Sequence, residues 1–317
     1  MAGRGHSIVV IDNLAAGFKD SLLHQERLAQ VDLADSAAVE RVFEQTRPEA
    51  VMHFAAATSV PESVSHPLKY YETNTANTLR LLHICVQHGV KYFVFSGTAA
   101  VYGLPDAGVA SEQTPMNPIN PYGSSKLMSE WMLRDVSRAG ALKYVSLRYF
   151  NVAGADPKGR IGQSTLGTTL LTKVVCEAGV GLRSEVEMFG TDYNTEDGTA
   201  IRDYIHVWDL ADAHVLALNY LAEGGESDVF NVGYGKGYSV SQVLSVAQKI
   251  MGTTLKVTPR PRRAGDPPKL IADATKVRKV LGWTPQYESL ETVYTHAWQW
   301  ERKLKTLRSQ GLWSVLK

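Results

Sequence analysis

Cysteine is almost absent from this chain: 2 residues in 317, Cys85 and Cys176, both inside apolar helical patterns. That scarcity argues against a disulfide framework or a cysteine-rich metal centre and points to two buried free thiols in a reducing compartment. An excess of one charge sign is also missing. Lysine and arginine number 33 against 32 aspartates and glutamates, a net charge of +1, so nothing marks a nucleic-acid or membrane surface. No apolar run approaches the roughly 18 residues of a membrane span. The N-terminal apolar stretch reaches Asp12 too soon for a secretory leader. Internal repeats and low-complexity linkers are absent. The expectation is a cytoplasmic protein with no metal, nucleic-acid or membrane partner.

What remains is ordinary globular material, 44% hydrophobic and 21% charged, long enough for two domains. The first half alternates strand and helix patterns. Strands are expected at 7–11, 28–32, 50–55, 91–95 and 143–149. Helices are expected at 36–45 with Asp35 or Ser36 as cap, at 68–88 stopped by Gly89, and at 122–138. This alternation predicts an α/β fold with a doubly wound, Rossmann-type parallel sheet. After Asn151 the pattern loosens into polar, glycine-rich loops as far as Asp203. A helix at 207–221 and a strand at 229–232 then rejoin the first sheet, and helices follow at 239–251 and 289–304. The division expected is a dinucleotide-binding unit over 1–151 rejoined by about 203–233, a smaller α/β unit over 152–202 and 234–306, and a loose tail over 307–317.

The chemistry is concentrated in Tyr122-Gly-Ser-Ser-Lys126. Residues four apart share a helix face. An ammonium there favours the phenolate, so the Tyr122 pKa is expected to fall from about 10 toward neutrality. Such a phenol takes a proton from a sugar hydroxyl. Surface helices carry such pairs often, so the pair alone is weak evidence. The preceding strand strengthens it, because Lys91-Tyr-Phe-Val-Phe-Ser-Gly-Thr98 ends in hydroxyls about one loop upstream. Asp12 ends a strand. In a Rossmann unit an acid there bonds the adenosine ribose and favours NAD over NADP, although a lone strand-end aspartate more often caps a turn. The glycine fingerprint that accompanies such an acid lies about 20 residues earlier, upstream of residue 1. Met1-Ala-Gly-Arg-Gly-His6 does not supply it. The chain is therefore expected to start inside the first helix, with neighbouring strands short of a partner and NAD weakly held.

Across nearly its whole length the chain resembles the UDP-glucose 4-epimerases, members of the extended short-chain dehydrogenase/reductases. The residues that carry this are VVIDNL (9–14), HFAA (53–56), YYETN (70–74), SGTAAVYG (96–103), NPYGSSK (120–126), RYFNVAGADP (148–157), FGTDYNTEDGTAIRDYIHVWDLADAH (189–214) and RRAGDP (262–267). The resemblance implies NAD as cofactor, a UDP-sugar as substrate and a homodimer. It implies Tyr122 as acid/base, Lys126 as its tuner and ribose ligand, and Thr98 as partner of the substrate 4-hydroxyl. Ser96 would stand near the nicotinamide, and Asp12, Asn13, Asp32, Leu33, Phe54, Ala55 and Asn74 would line NAD. Asn151, Leu170, Phe189, Arg202, Arg263 and Asp266 would hold the UDP-sugar, the two arginines suiting a pyrophosphate.

Several positions depart from the family pattern. Thr58 stands where many members carry lysine, Thr169 where asparagine or histidine is usual, and Leu270 where some carry a bulky tyrosine. The same fold supports nucleotide-sugar 4,6-dehydratases, which place an Asp-Glu pair after the threonine. Ala99-Ala100 argues against that activity. A sister epimerase acting on a UDP-pentose or an N-acetylated hexose stays open, as does a non-catalytic relic that binds a nucleotide-sugar.

Overall fold

The computed structural model describes residues 5–23 and 26–313. Residues 1–4 of the N-terminal glycine segment and 314–317 of the tail lie outside the described residues. Strands β1 (Val9–Asp12) and β2 (Arg27–Gln30) form a parallel pair. Helix α1 (Ser36–Thr46) is capped by the Asp35 carboxylate, which accepts from Ala38 N at 3.0 Å. Strand β3 (Ala50–His53) follows. A short α2 (Val60–Ser65) precedes the helix expected over 68–88, which runs without interruption as α3 (Pro67–Tyr70), a π-helical stretch at Tyr71–Ala76 and α4 (Asn77–Gln87). Pro67 explains why α2 stays separate. It lacks an N–H and starts a new helix after His66, which leaves the helical region at φ −132°. The π turn aims Asn74 and Thr75 at a later helix, where both bond Ser125.

Next come β4 (Tyr92–Thr98), β5 (Val109–Ala110), α5 (Pro121–Arg138), β6 (Lys143–Tyr149) and β7 (Asn151–Ala153). The second half holds α6 (Leu171–Gly179), β8 (Val186–Phe189), β9 (Ile201–His206), α7 (Val207–Ala222), β10 (Asp228–Val232), β11 (Gly237–Ser239) and α8 (Val240–Met251). It ends with β12 (Val257–Arg260), β13 (Lys269–Ala272), α9 (Thr275–Leu281) and α10 (Leu290–Ser309).

The main sheet is parallel, in the order β10-β6-β4-β3. β10 returns from the second half to pair with β6, Phe230 opposite Leu147. Among the described residues the β1–β2 pair is not hydrogen-bonded to this sheet. Ile11 of β1 and Val51 of β3 nevertheless pack on one apolar cluster, built on Phe43, Leu82, Phe93, Phe95 and Leu133. Strand alternation sends Val94 to the opposite face, into a second cluster with Val145, Leu147, Ile205, Phe230 and Trp283. Each fully buried side chain of this size contributes roughly 1.5–3 kcal/mol. The smaller half is a mixed sheet in the order β11-β9-β13-β5, with β7 also on β9 and only β11 antiparallel. A parallel pair, β12–β8, completes it. The tail departs from expectation. α10 runs on to Ser309, because Leu304 and Leu307 remain in an apolar cluster, and Trp313 is buried between Phe18 and Trp300.

Candidate active site

β4 delivers Ser96, Gly97 and Thr98 to the C-terminal edge of the main sheet, all three buried. Thr98 turns the chain at once, its hydroxyl accepting from Ala100 N at 3.2 Å. α5 starts against this turn. Asn120 caps it by accepting from Gly123 N at 2.9 Å, and Pro121 opens the first turn. Gly123 permits the approach: a Cβ there would stand 2.6 Å from Ala100 O. The helix start is thereby pressed onto the strand end, and Tyr122 comes beside Thr98.

The ionisation expected of Tyr122 is not what the fold produces in the free chain. Burial pushes the phenol well above its ordinary value, the neighbouring Tyr149 and Tyr70 phenols push the same way, and only the Thr98 hydrogen bond opposes them. Lys126 does not counter this. Its Nζ sits 4.3 Å above the Phe95 ring, and burial pulls its pKa down to about 7 against the pull of Glu130. A lysine half-neutral at pH 7 carries too little charge to draw the phenol down. One helix face is shared, as the spacing predicts, but the low dielectric around it was not visible in the spacing.

A single cavity of about 830 Å³ joins this corner to the mixed sheet, a volume suited to a small-molecule ligand. Among the expected residues, Thr98, Tyr122, Asn151, Leu170, Phe189, Arg202, Arg263 and Asp266 all line it. Arg202 ion-pairs with Asp266 and donates to Ile201 O at 2.8 Å. The Arg263 guanidinium lies 3.7 Å over the Phe189 ring. No carboxylate among the described residues pairs with it. Leu270 forms part of the wall.

The remaining expected residues lie outside this cavity, at the ends of β1, β2, β3 and β4, except Asn74 in the π-helical stretch and Lys126 on α5. The Asp12 carboxylate accepts from Leu14 N at 2.6 Å. Asn13 donates to Asp32 at 2.8 Å and ties the ends of β1 and β2 together. Hydrogen bonds from Ala34 N and Asn13 hold the Asp32 carboxyl below its usual value. Leu33 is half-buried, and Phe54 and Ala55 are exposed. Phe54 packs against His214, ring centroids 4.8 Å apart. Asn74 is fully engaged inside the protein. Its amide accepts from Ala57 N and donates to Ala57 O and Ser125 Oγ, all within 3.0 Å, so it shapes the loop after β3 rather than presenting free polar atoms. Ser96 Oγ is bonded by the Tyr149 hydroxyl.

Two groups escaped the sequence reasoning. Tyr149 lines the cavity opposite Thr98 in the β4–β6 register, and its place at a strand end was the available signal. His214 is 4% exposed, and its Nε2 has no hydrogen-bond partner among the described residues. Its Nδ1 is spent on Leu210 O at 2.9 Å.

The family described as "NAD dependent epimerase/dehydratase family" matches residues 1–233. The chain belongs to that family. It is 50% identical over 301 residues to a UDP-glucose 4-epimerase of Azospirillum brasilense, covering 95% of this chain and 86% of the relative. The solved UDP-glucose 4-epimerase of Bifidobacterium longum, in complex with NAD+ and UDP, superposes with a TM-score of 0.91 at 37% identity, over 95% and 92% of the two chains. A UDP-Glc/GlcNAc 4-epimerase of Campylobacter jejuni gives 0.81 at 48% identity, over 94% and 92%. Within the epimerase/dehydratase family, Ala99-Ala100 after Thr98 gives this chain no acidic pair for dehydration.

Proposed function

We propose that this chain interconverts UDP-glucose and UDP-galactose by inverting carbon 4 with the help of NAD. The observation that carries this reading is the shared cavity. It sets Thr98 and Tyr122 of the parallel half against Arg202, Arg263 and Asp266 of the mixed half. A hydroxyl and a phenol suit proton transfer at a sugar carbon, and two guanidinium groups suit a pyrophosphate. The residues at the strand ends fit NAD. Exposed Phe54 beside His214, with a buried Nε2 that lacks a partner among the described residues, is a surface suited to a flat polar ligand. NAD, when bound, supplies a cationic ring whose carbon accepts and returns a hydride.

Each remaining step belongs to the chain's own groups. Asp12 takes the adenosine ribose hydroxyls and disfavours a 2′-phosphate. Lys126 holds the nicotinamide ribose. As its phenolate, the form that a cationic NAD ring beside it would favour, Tyr122 takes the proton of the 4-hydroxyl as the C4 hydrogen departs with its electron pair. Thr98 bonds the same oxygen and fixes its distance from the phenol. The 4-keto sugar then turns over while Arg202, Arg263 and Asp266 keep the UDP in place. Tyr122 returns its proton as hydride re-enters from the other face. In this reading residues 1–151 with 203–233 hold NAD, and 152–202 with 234–306 hold the UDP-sugar.

A homodimer follows from exposed apolar groups on two adjacent helices, Leu79 and Val86 on α4 and Met128 and Trp131 on α5. No helix among the described residues is long and apolar enough to cross a membrane. Both cysteines are free and buried, which suits the cytoplasm. A second reading, action on N-acetylated UDP-hexoses as well, is favoured by Leu270 in the cavity wall.

Conversion of UDP-galactose to UDP-glucose tests the proposal. Tyr122→Phe is expected to lower kcat at least ~10²-fold, and NAD added to the purified protein is expected to support turnover. A protein without turnover or bound NAD is the relic, not the enzyme.

A further inference from the structure

The stretch 163–170 runs into the start of α6, and its last three residues, Thr168, Thr169 and Leu170, line the cavity. Side chains from elsewhere hold its backbone. At its beginning Trp300 of α10 donates to Gln163 O at 3.2 Å, and Arg308 donates to Ser164 O. Near its end Arg183 Nη2 donates to Thr168 O at 3.1 Å. Thr168 Oγ1 in turn accepts from Leu170 N at 3.2 Å, so the hold passes to the residue that faces the cavity. Between the two holds lie exposed Leu166 and Gly167, the latter at φ +66°. Glycine gives such a tip backbone freedom, and its order depends on what grips either side.

Arg183 owes its place to the end of α6. Gly181 turns the chain at φ +79°, and Leu182 N bonds back to Glu177 O at 2.8 Å. Arg183 thereby returns to the helix it has just left, and its Nε donates to Glu177 Oε2 at 2.6 Å. Glu177 is a firm anchor. It is 5% exposed, and its other oxygen lies 3.4 Å from Lys173 Nζ, which also pairs with buried Glu301. One planar guanidinium thus bridges a buried carboxylate and a carbonyl of the cavity wall, a geometry that a point charge on a flexible stem does not reproduce. We propose that Arg183, anchored on Glu177, is a positioning residue that clamps the 163–170 stretch along the cavity and so strengthens binding of the UDP-sugar. The inference rests on the function proposed above. Arg183 also borders the cavity, but unlike Arg263 it has a carboxylate of its own. It acts through Thr168 and not by meeting the phosphates. A wall ordered before the ligand arrives removes part of the entropy cost of binding.

Arg183→Met tests this with two readouts, deuterium exchange of peptides covering 163–170 and binding of UDP by titration calorimetry. Exchange in that stretch should quicken at least ~5-fold, with the rest of the chain unchanged. The Kd for UDP and the KM for UDP-galactose, assayed with NAD added, should both rise roughly 5- to 20-fold. The kcat should stay within about twofold of the parent, as expected when binding is lost equally from ground and transition states. Arg183→Lys keeps the charge without the bridge and should fall between parent and methionine variant in both readouts. If Arg183→Met fails to fold because Glu177 has lost a partner, the pair Arg183→Met with Glu177→Gln removes both charges and carries the same expectation. A raised Kd with unchanged exchange at 163–170 makes Arg183 a direct ligand contact and overturns the inference. Faster exchange with an unchanged Kd overturns it as well, because the stretch then does not serve the site. A parent protein that neither binds UDP nor turns over UDP-galactose refutes the proposed function itself, and the inference falls with it.

Discussion

Replacing Arg263 with methionine separates binding from stability. The guanidinium stacks on Phe189 at 3.7 Å and faces the cavity. It has no acidic partner among the described residues, and burial depresses its pKa. Its charge is therefore held at some cost to the fold and is left to meet an anion. Losing a charge-assisted bond to a pyrophosphate removes about 1.5–3 kcal/mol, or a roughly 10- to 150-fold rise in the Kd for UDP. Folding changes little. A cation–π contact worth about 0.5–2 kcal/mol is lost, while the burial penalty disappears with the charge and methionine keeps the contact with the ring. The melting midpoint should stay within about 3 °C of the parent. Arg202→Met should behave differently, because it strands the Asp266 carboxylate beside the ligand. It should weaken UDP further than Arg263→Met does. Titration calorimetry with UDP, paired with a thermal melt, gives both numbers. Unchanged UDP affinity with a lowered melting midpoint in Arg263→Met would show that this arginine serves the fold and not the ligand.

Acidification should destabilise the chain between about pH 6.5 and 4. Burial keeps His53, His206 and His214 neutral, with values near 3, 4 and 4 against 6.5 when unfolded. The unfolded state then binds more protons in that window, and stability rises with pH through it. Asp203, raised by burial to about 6, works in the opposite direction but is one group against three. A melting midpoint that holds steady or climbs from pH 6.5 to 5 contradicts this account. Leu270→Tyr should narrow the cavity wall and suppress turnover of UDP-N-acetylgalactosamine more than that of UDP-galactose, checked by comparing kcat/KM for the two. Equal losses count against Leu270 as the selector. Trp131→Glu should turn a dimer into a monomer in sedimentation velocity, with the helix content retained. A persistent dimer moves the interface elsewhere.

Local chemistry was open to sequence reasoning wherever neighbours in the chain decide the outcome. Asp35 caps its helix as read, and Ser239 and Ser289 stand where their helices were expected to start, because a cap needs only a side chain reaching backbone two or three residues on. Strands β3, β4 and β6 announced themselves as apolar runs, and Tyr122 with Lys126 as a helical pair. Most of the mixed sheet did not. β5, β11 and β13 are two to four residues long and exist through pairing with distant partners, which no short window of sequence contains. The separate α2 needed Pro67, and the π-helical stretch within 67–87 carries a contact of Asn74 with Ser125, 51 residues away. Ionisation was the least legible property. Spacing places Lys126 beside Tyr122, but only the packed interior says that both are desolvated. Sequence alone determined which groups are present and which lie on one helix face. Tertiary structure decided their charge, because charge depends on what replaces water around them.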